Sequence, residues 1–168
     1  MVNPFIPGRA PRGSMVAYWL MKSEPHVYPW EQLENDGSTH WDGVRNYQAR
    51  NTMRDDMKIG DMVLFYHSNT KPPHVAGIAR VCREGYPDHT AQDSGSKYFD
   101  PKATPENPRW MMVDIEPVEA MKSIVSLPDM KENPALEGMP LLAKGSRLSV
   151  QSVPPEHFAV VRRMGGLS

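Results

Sequence analysis

Three of the four tryptophans in this 168-residue chain fall at Trp19, Trp30 and Trp41. Polar runs lie beside them, Lys22-Ser23-Glu24 and then Asp42-Gly43-Val44-Arg45-Asn46-Tyr47. Indole faces next to a carboxylate and amides suit a planar heterocycle: the rings stack on its faces while Glu or Asn reads its edge. The competing reading makes all three tryptophans core, since each buries a large apolar area. Residue types alone favour the core reading.

Arg45, Arg50, Arg54 and Lys58, with Asn46 and Asn51 between them, give residues 45–57 a cationic side. Guanidinium groups beside a pocket can hold phosphates. A solvated helix face paired with Asp55 and Asp56 is the plainer alternative. Arg147, between Ser146 and Ser149, is a further candidate for a phosphate or base-edge contact.

Other chemistry finds little support. The chain lacks G-x-G-x-x-G, G-x-x-x-x-G-K-[ST], G-x-S-x-G and H-E-x-x-H. Its histidines, at 26, 40, 67, 74, 89 and 157, show no ligand spacing, so neither a metal nor another cofactor is expected. The lone Cys82 rules out an intramolecular disulfide framework, and its mid-strand position suits an inert buried thiol. With Lys+Arg 19 against Asp+Glu 20, binding through bulk positive charge is disfavoured, although a local basic patch is compatible. No apolar run approaches the roughly 20 residues that span a bilayer, so no membrane partner is expected. Cysteine usage points to a reducing compartment, cytoplasmic in a bacterium or nuclear in a eukaryote.

The elements that must position these groups read as a mixed α/β domain. Residues 1–14 are basic, proline-rich and aperiodic, and read as a leader or disordered extension ahead of one domain over 15–168. Ala17–Met21 reads as a buried strand stopped by Pro25, and Trp30–Glu34 as a helix closed by Asn35-Asp36-Gly37. Ala49, Met53 and Met57 recur every four residues, which predicts a helix over 45–57. Met62–His67 reads as a strand, as does 74–83, with Val75, Gly77, Ala79 and Val81 on one face and Ile78 and Cys82 on the other. Residues 85–108 form a long proline-bearing loop, of the kind that is functional or packed on itself. Strand 110–118 points Met111, Val113 and Ile115 inward, a short helix spans 127–133, and a last strand covers 148–153. A final helix opens at Pro154, packs Phe158 and Val161, and ends at Gly165-Gly166.

Several blocks resemble the EVE domain family. They are Tyr-Trp-Leu-Met-Lys-Ser-Glu-Pro (18–25), Trp-Asp-Gly-Val-Arg-Asn-Tyr-Gln-Ala-Arg-Asn (41–51), Phe-Tyr-His-Ser-Asn (65–69), Lys-Tyr-Phe-Asp-Pro-Lys (97–102), Asn-Pro-Arg-Trp (107–110) and Arg-Leu-Ser-Val (147–150). The resemblance implies a PUA-like half-open β-barrel of five or six strands flanked by short helices, related to YTH and ASCH domains. It also implies recognition of DNA or RNA by taking a modified base into an aromatic pocket; since no second catalytic partner is identifiable by spacing, the chain is expected to bind without turnover, as a monomer. The matching positions place Lys22, Ser23, Glu24, Trp41 and Asp42 in that pocket. Phe65, His67 and Ser68 would line another wall, with Arg147 and Ser149 beside it and Trp30 nearby; the residue types themselves add Trp19, Asn46 and Tyr47 to the pocket and place Arg45, Arg50, Arg54 and Arg147 on phosphates. YTH readers carry an uncharged amide where this chain has Glu24, and a carboxylate accepts from an exocyclic amino group. Modified cytosine therefore stands beside methyladenine. The alternatives are a base glycosylase or nucleotide hydrolase with Glu24 or Asp42 as base, and a binder of free modified nucleotides.

Overall fold

The computed structural model describes residues 16–145 and 147–168. Residues 1–14, the expected start at Met15 and Ser146 lie outside the described residues. Six strands form one sheet: β1 (Tyr18–Ser23), β2 (Thr39–His40), β3 (Met62–His67), β4 (His74–Pro87), β5 (Met111–Ser126) and β6 (Val150–Ser152). Their order is β2-β5-β4-β3-β1-β6, and the sheet stays open with β2 and β6 at its edges. The β1–β3 pair is parallel, the others antiparallel. A parallel pair needs a long crossover. Here it contains α1 (Trp30–Asp36), β2 and α2 (Tyr47–Asn51), the stretch that carries the pocket candidates. Helices α3 (Leu127–Lys131) and α4 (Pro155–Met164) follow later in the chain.

Alternation in β1 and β3 splits the core in two. Trp19, Met21, Val63 and Phe65 face α1 and α2, packing on Trp30, Leu33, Ala49, Met53 and Met57. Leu20, Leu64 and Tyr66 face the opposite side, against Met130 of α3 and Phe158 and Val161 of α4. The four-residue stripe of 49, 53 and 57 is fully buried as the spacing predicts. Its helix, however, widens after Asn51 into a π-type turn over Thr52–Asp56.

Three expectations need correction. Val75 does not share a face with Ala79 and Val81; it packs with Ile78 in the α3–α4 core. Against β3 the register shifts between Phe65 and Tyr66, whose partners are Gly77 and Val75, so one extra residue in β4 reverses the side-chain alternation. Met111 is only half-buried, and Met112 takes the core position at 2% exposure, beside another register shift near Tyr86. The strand expected to end at residue 83 also runs on to Pro87.

Gly77 leaves room for α1. A Cβ there would sit 2.5 Å from the Trp30 ring, closer than any real contact. Gly77→Ala is therefore expected to destabilise by about 1–3 kcal/mol through overpacking. Urea unfolding checks it, and an unchanged midpoint would show that Trp30 shifts freely.

Candidate nucleic-acid interface

The C-terminal end of β1 is fixed by a buried histidine. His67, at the end of β3, accepts at Nε2 from the Trp30 N–H (3.3 Å). Its Nδ1 lies 3.1 Å from the Ser23 carbonyl, so the neutral ring with its proton on Nδ1 satisfies both partners. The Ser23 hydroxyl donates to the Tyr28 carbonyl at 2.8 Å, closing the turn that follows. One imidazole thus ties β1, β3 and the start of α1 together.

Burial holds His67 below the ordinary histidine value, with His74 acting in the same direction and the Ser23 bond opposing it. The unfolded chain takes up this proton near 6.5, while the folded chain refuses it until lower pH. Stability from this group is thus whole above about 6.5 and falls as the pH drops below that value. Wild-type denaturation midpoints should decline from pH 7.5 to 5.5, and His67→Asn should lose that part of the decline. Superimposable profiles would contradict the assignment.

Beside this turn opens a cavity of about 610 Å³. Trp41, 8% exposed, stands in its wall, braced edge-on by Phe65 (5.6 Å, 87°) and Tyr28 (6.5 Å, 82°). Lys22, Ser23, Glu24, Asp42, Arg45 and Ser149 also line it, so seven of the sequence-derived candidates meet here, Trp41 included. Glu24 sits at the rim, accepting from the Asn69 amide at 3.0 Å. Burial lowers the Lys22 ammonium below the ordinary lysine value.

Other candidates serve elsewhere. The Trp19 indole donates to Asp61 at 2.9 Å and belongs to the core; Trp30 and Phe65 lie behind Trp41. Asn46 caps α2 by accepting from the Ala49 N–H at 3.0 Å. Tyr47 stacks on Trp110 (4.8 Å, 23°), with Arg50 over its ring at 4.8 Å. Arg54 forms a two-point pair with Asp55. Ser68 borders a second cleft, and Arg147 is exposed and lines neither.

Arg45 lines the cavity, but its donors are in use. They reach the Tyr98 carbonyl (2.7 and 3.2 Å), the Val44 carbonyl (3.0 Å), Asp88 (2.9 Å) and the Thr90 hydroxyl (3.3 Å). Asp88, fully buried, also accepts from the Gly43 N–H (2.8 Å) and from Thr90. Burial pushes this carboxyl up, but the bonds from Thr90, Gly43 and Arg45 outweigh it and hold it below the usual range. The arginine thereby clamps the long loop to the cavity wall.

That loop brings Lys97 and Tyr98, which the residue-by-residue reading did not single out although 97–102 carried a family block. Gly43 (φ +79°) makes the approach feasible, since a Cβ there would meet the Tyr98 ring at 2.7 Å. Tyr28 also lines the wall and was missed. Burial chiefly, with Asp36 adding to it, pushes its phenol up to about 12, so it stays a neutral donor to Asp36. His40 lies 3.7 Å from Asp42, both on the cavity. Among the described residues no group of three His, Cys, Asp or Glu could hold a metal ion, and no helix is long and apolar enough to cross a membrane.

An open six-stranded mixed sheet covered on both faces, with an aromatic and charged cavity at the end of its parallel pair, defines a PUA-like α/β domain. The EVE domain family matches residues 17–164, and the chain belongs to it. Human thymocyte nuclear protein 1 is 38% identical over 167 residues, covering 88% of this chain and 73% of its own. A hypothetical protein from Leishmania major is 49% identical, with a TM-score of 0.85 over 91% of this chain and 96% of that one. The human THYN1 protein in complex with 5-methylcytosine-containing DNA is 38% identical, with a TM-score of 0.80 over 90% of this chain and 99% of that one. A YTH domain from Zygosaccharomyces rouxii, 14% identical with a TM-score of 0.50 over 90% of this chain and 87% of that one, shares the fold.

Proposed function

We propose that this chain binds nucleic acid carrying a modified base, taking that base into the 610 Å³ cavity without chemical turnover. The observation that carries the reading is the human relative bound to 5-methylcytosine DNA, 38% identical across nearly the whole of both domains. The cavity supplies matching chemistry. Trp41 offers a π-face, and Glu24 and Ser23 offer acceptors for an exocyclic amino group. Modified cytosine in DNA is the preferred ligand, and the family resemblance supports a protein acting in the nucleus if its source is eukaryotic.

The pair of His40 and Asp42 favours a second reading, hydrolysis of the base, because a histidine beside a carboxylate can activate water. Their separation of 3.7 Å exceeds a hydrogen bond, and both are partly exposed. Oligonucleotides with one modified base each, titrated at fixed salt and then held for hours with excess protein, separate the two. Preferential binding with the base intact by nucleoside mass analysis is expected. Release of free base, abolished by Asp42→Asn, would establish the enzyme instead.

A further inference from the structure

A second cleft of about 590 Å³ opens on the other side of Lys22, which lines both. Its rim carries Lys131, in the last turn of α3, and Lys144, beyond the turn over Pro140–Leu142, with the Ser68 hydroxyl between elements. Its floor is apolar, from Tyr66, Leu141 and Leu142. The two openings differ in charge. The first contains Glu24, Asp36 and Asp42, whereas no carboxylate residue lines the second.

Among the described residues, no ion pair engages the ammonium of Lys22, Lys131 or Lys144. The arginines of the α2 region are committed otherwise: Arg45 to Asp88 and Tyr98, Arg54 to Asp55, and Arg50 to the Tyr47 ring. Within the base cavity Lys97 stands over the Tyr98 ring at 5.1 Å, while Lys131 and Lys144 gather on the acid-free side of Lys22.

Resting on the pocket reading above, we propose that the phosphodiester backbone flanking the extruded base runs through this second cleft, its phosphates on Lys22, Lys131 and Lys144 and its sugars against the apolar floor. Lys22 lines both openings and so joins the base cavity to this cleft, and the acid-free side is the one that suits a polyanion.

The test compares wild type with Lys131→Gln/Lys144→Gln, both exposed positions, on a duplex containing one 5-methylcytosine and on its unmodified counterpart across a salt series. A charge-reversed Lys131→Glu/Lys144→Glu protein is the second variant, with cooperative unfolding as the fold control. Each lost phosphate contact should weaken binding roughly eightfold at about 0.1 M salt and flatten the salt slope by about 0.9 on duplex DNA. Both duplexes should be affected alike, so the preference for the modified base survives, and reversal should weaken binding further.

Unchanged affinity and slope in both variants would overturn the proposed path while leaving the pocket reading intact. Loss confined to the modified duplex would overturn it too, by moving the lysines into base recognition. Wild type that binds without preference, yet still loses affinity in the lysine variants, would sink the pocket reading and keep the basic track. No binding to either duplex would sink both.

Discussion

Asp88→Ala is expected to lower the unfolding free energy by about 3–5 kcal/mol, because it strands a charge and several donors at once. The carboxylate is fully buried and receives Arg45, the Gly43 N–H and two donors of Thr90. Removing the side chain leaves those donors without their buried acceptor. The effect should extend to function, since Arg45 holds the Tyr98 carbonyl and Gly43 seats the Tyr98 ring. Urea unfolding of the two proteins measures the stability loss. A change below about 1 kcal/mol would mean the loop is held by other contacts.

Trp41 carries the second large effect. It is both wall and core, so Trp41→Ala would cost about 3–5 kcal/mol of stability and confuse the two roles. Trp41→Leu is the informative variant, because it keeps an apolar side chain against Phe65 while removing the indole face. The variant should unfold cooperatively and bind the modified duplex about 1–3 kcal/mol more weakly, with the preference over unmodified DNA largely gone. A folded Trp41→Leu protein with its preference intact would return this tryptophan to the core alone.

Much of the architecture was legible because it rests on short-range pattern. The stripe of Ala49, Met53 and Met57, the apolar run of Met62–His67 and the Gly37 stop depend on neighbours within a turn or two. What failed depends on pairing between distant segments. Nothing local announces the bulge against β3 that turns Val75 over, nor the register that buries Met112 in place of Met111.

The site divides the same way. Lys22, Ser23 and Glu24 lie together because they are consecutive, and the parallel pairing with β3 aims them. Tyr98 joins Trp41 across more than fifty residues, through an arginine that the spacing made a phosphate candidate. A guanidinium looks the same in sequence whether it meets a phosphate or four internal acceptors. Only the buried Asp88 decides between them. Gly43 adopts a positive φ, and its missing Cβ is what lets the Tyr98 ring pack there.

Departure of a modified base from the helix into the cavity beside Trp41 can be read with 2-aminopurine placed next to the modified cytosine in a duplex. This fluorophore brightens when its stacking partner departs. Saturating wild-type protein should raise its emission on the modified duplex, with little change on the unmodified one or with Trp41→Leu. Tight binding of the modified duplex with emission unchanged would show that the base stays stacked, and would contradict the account.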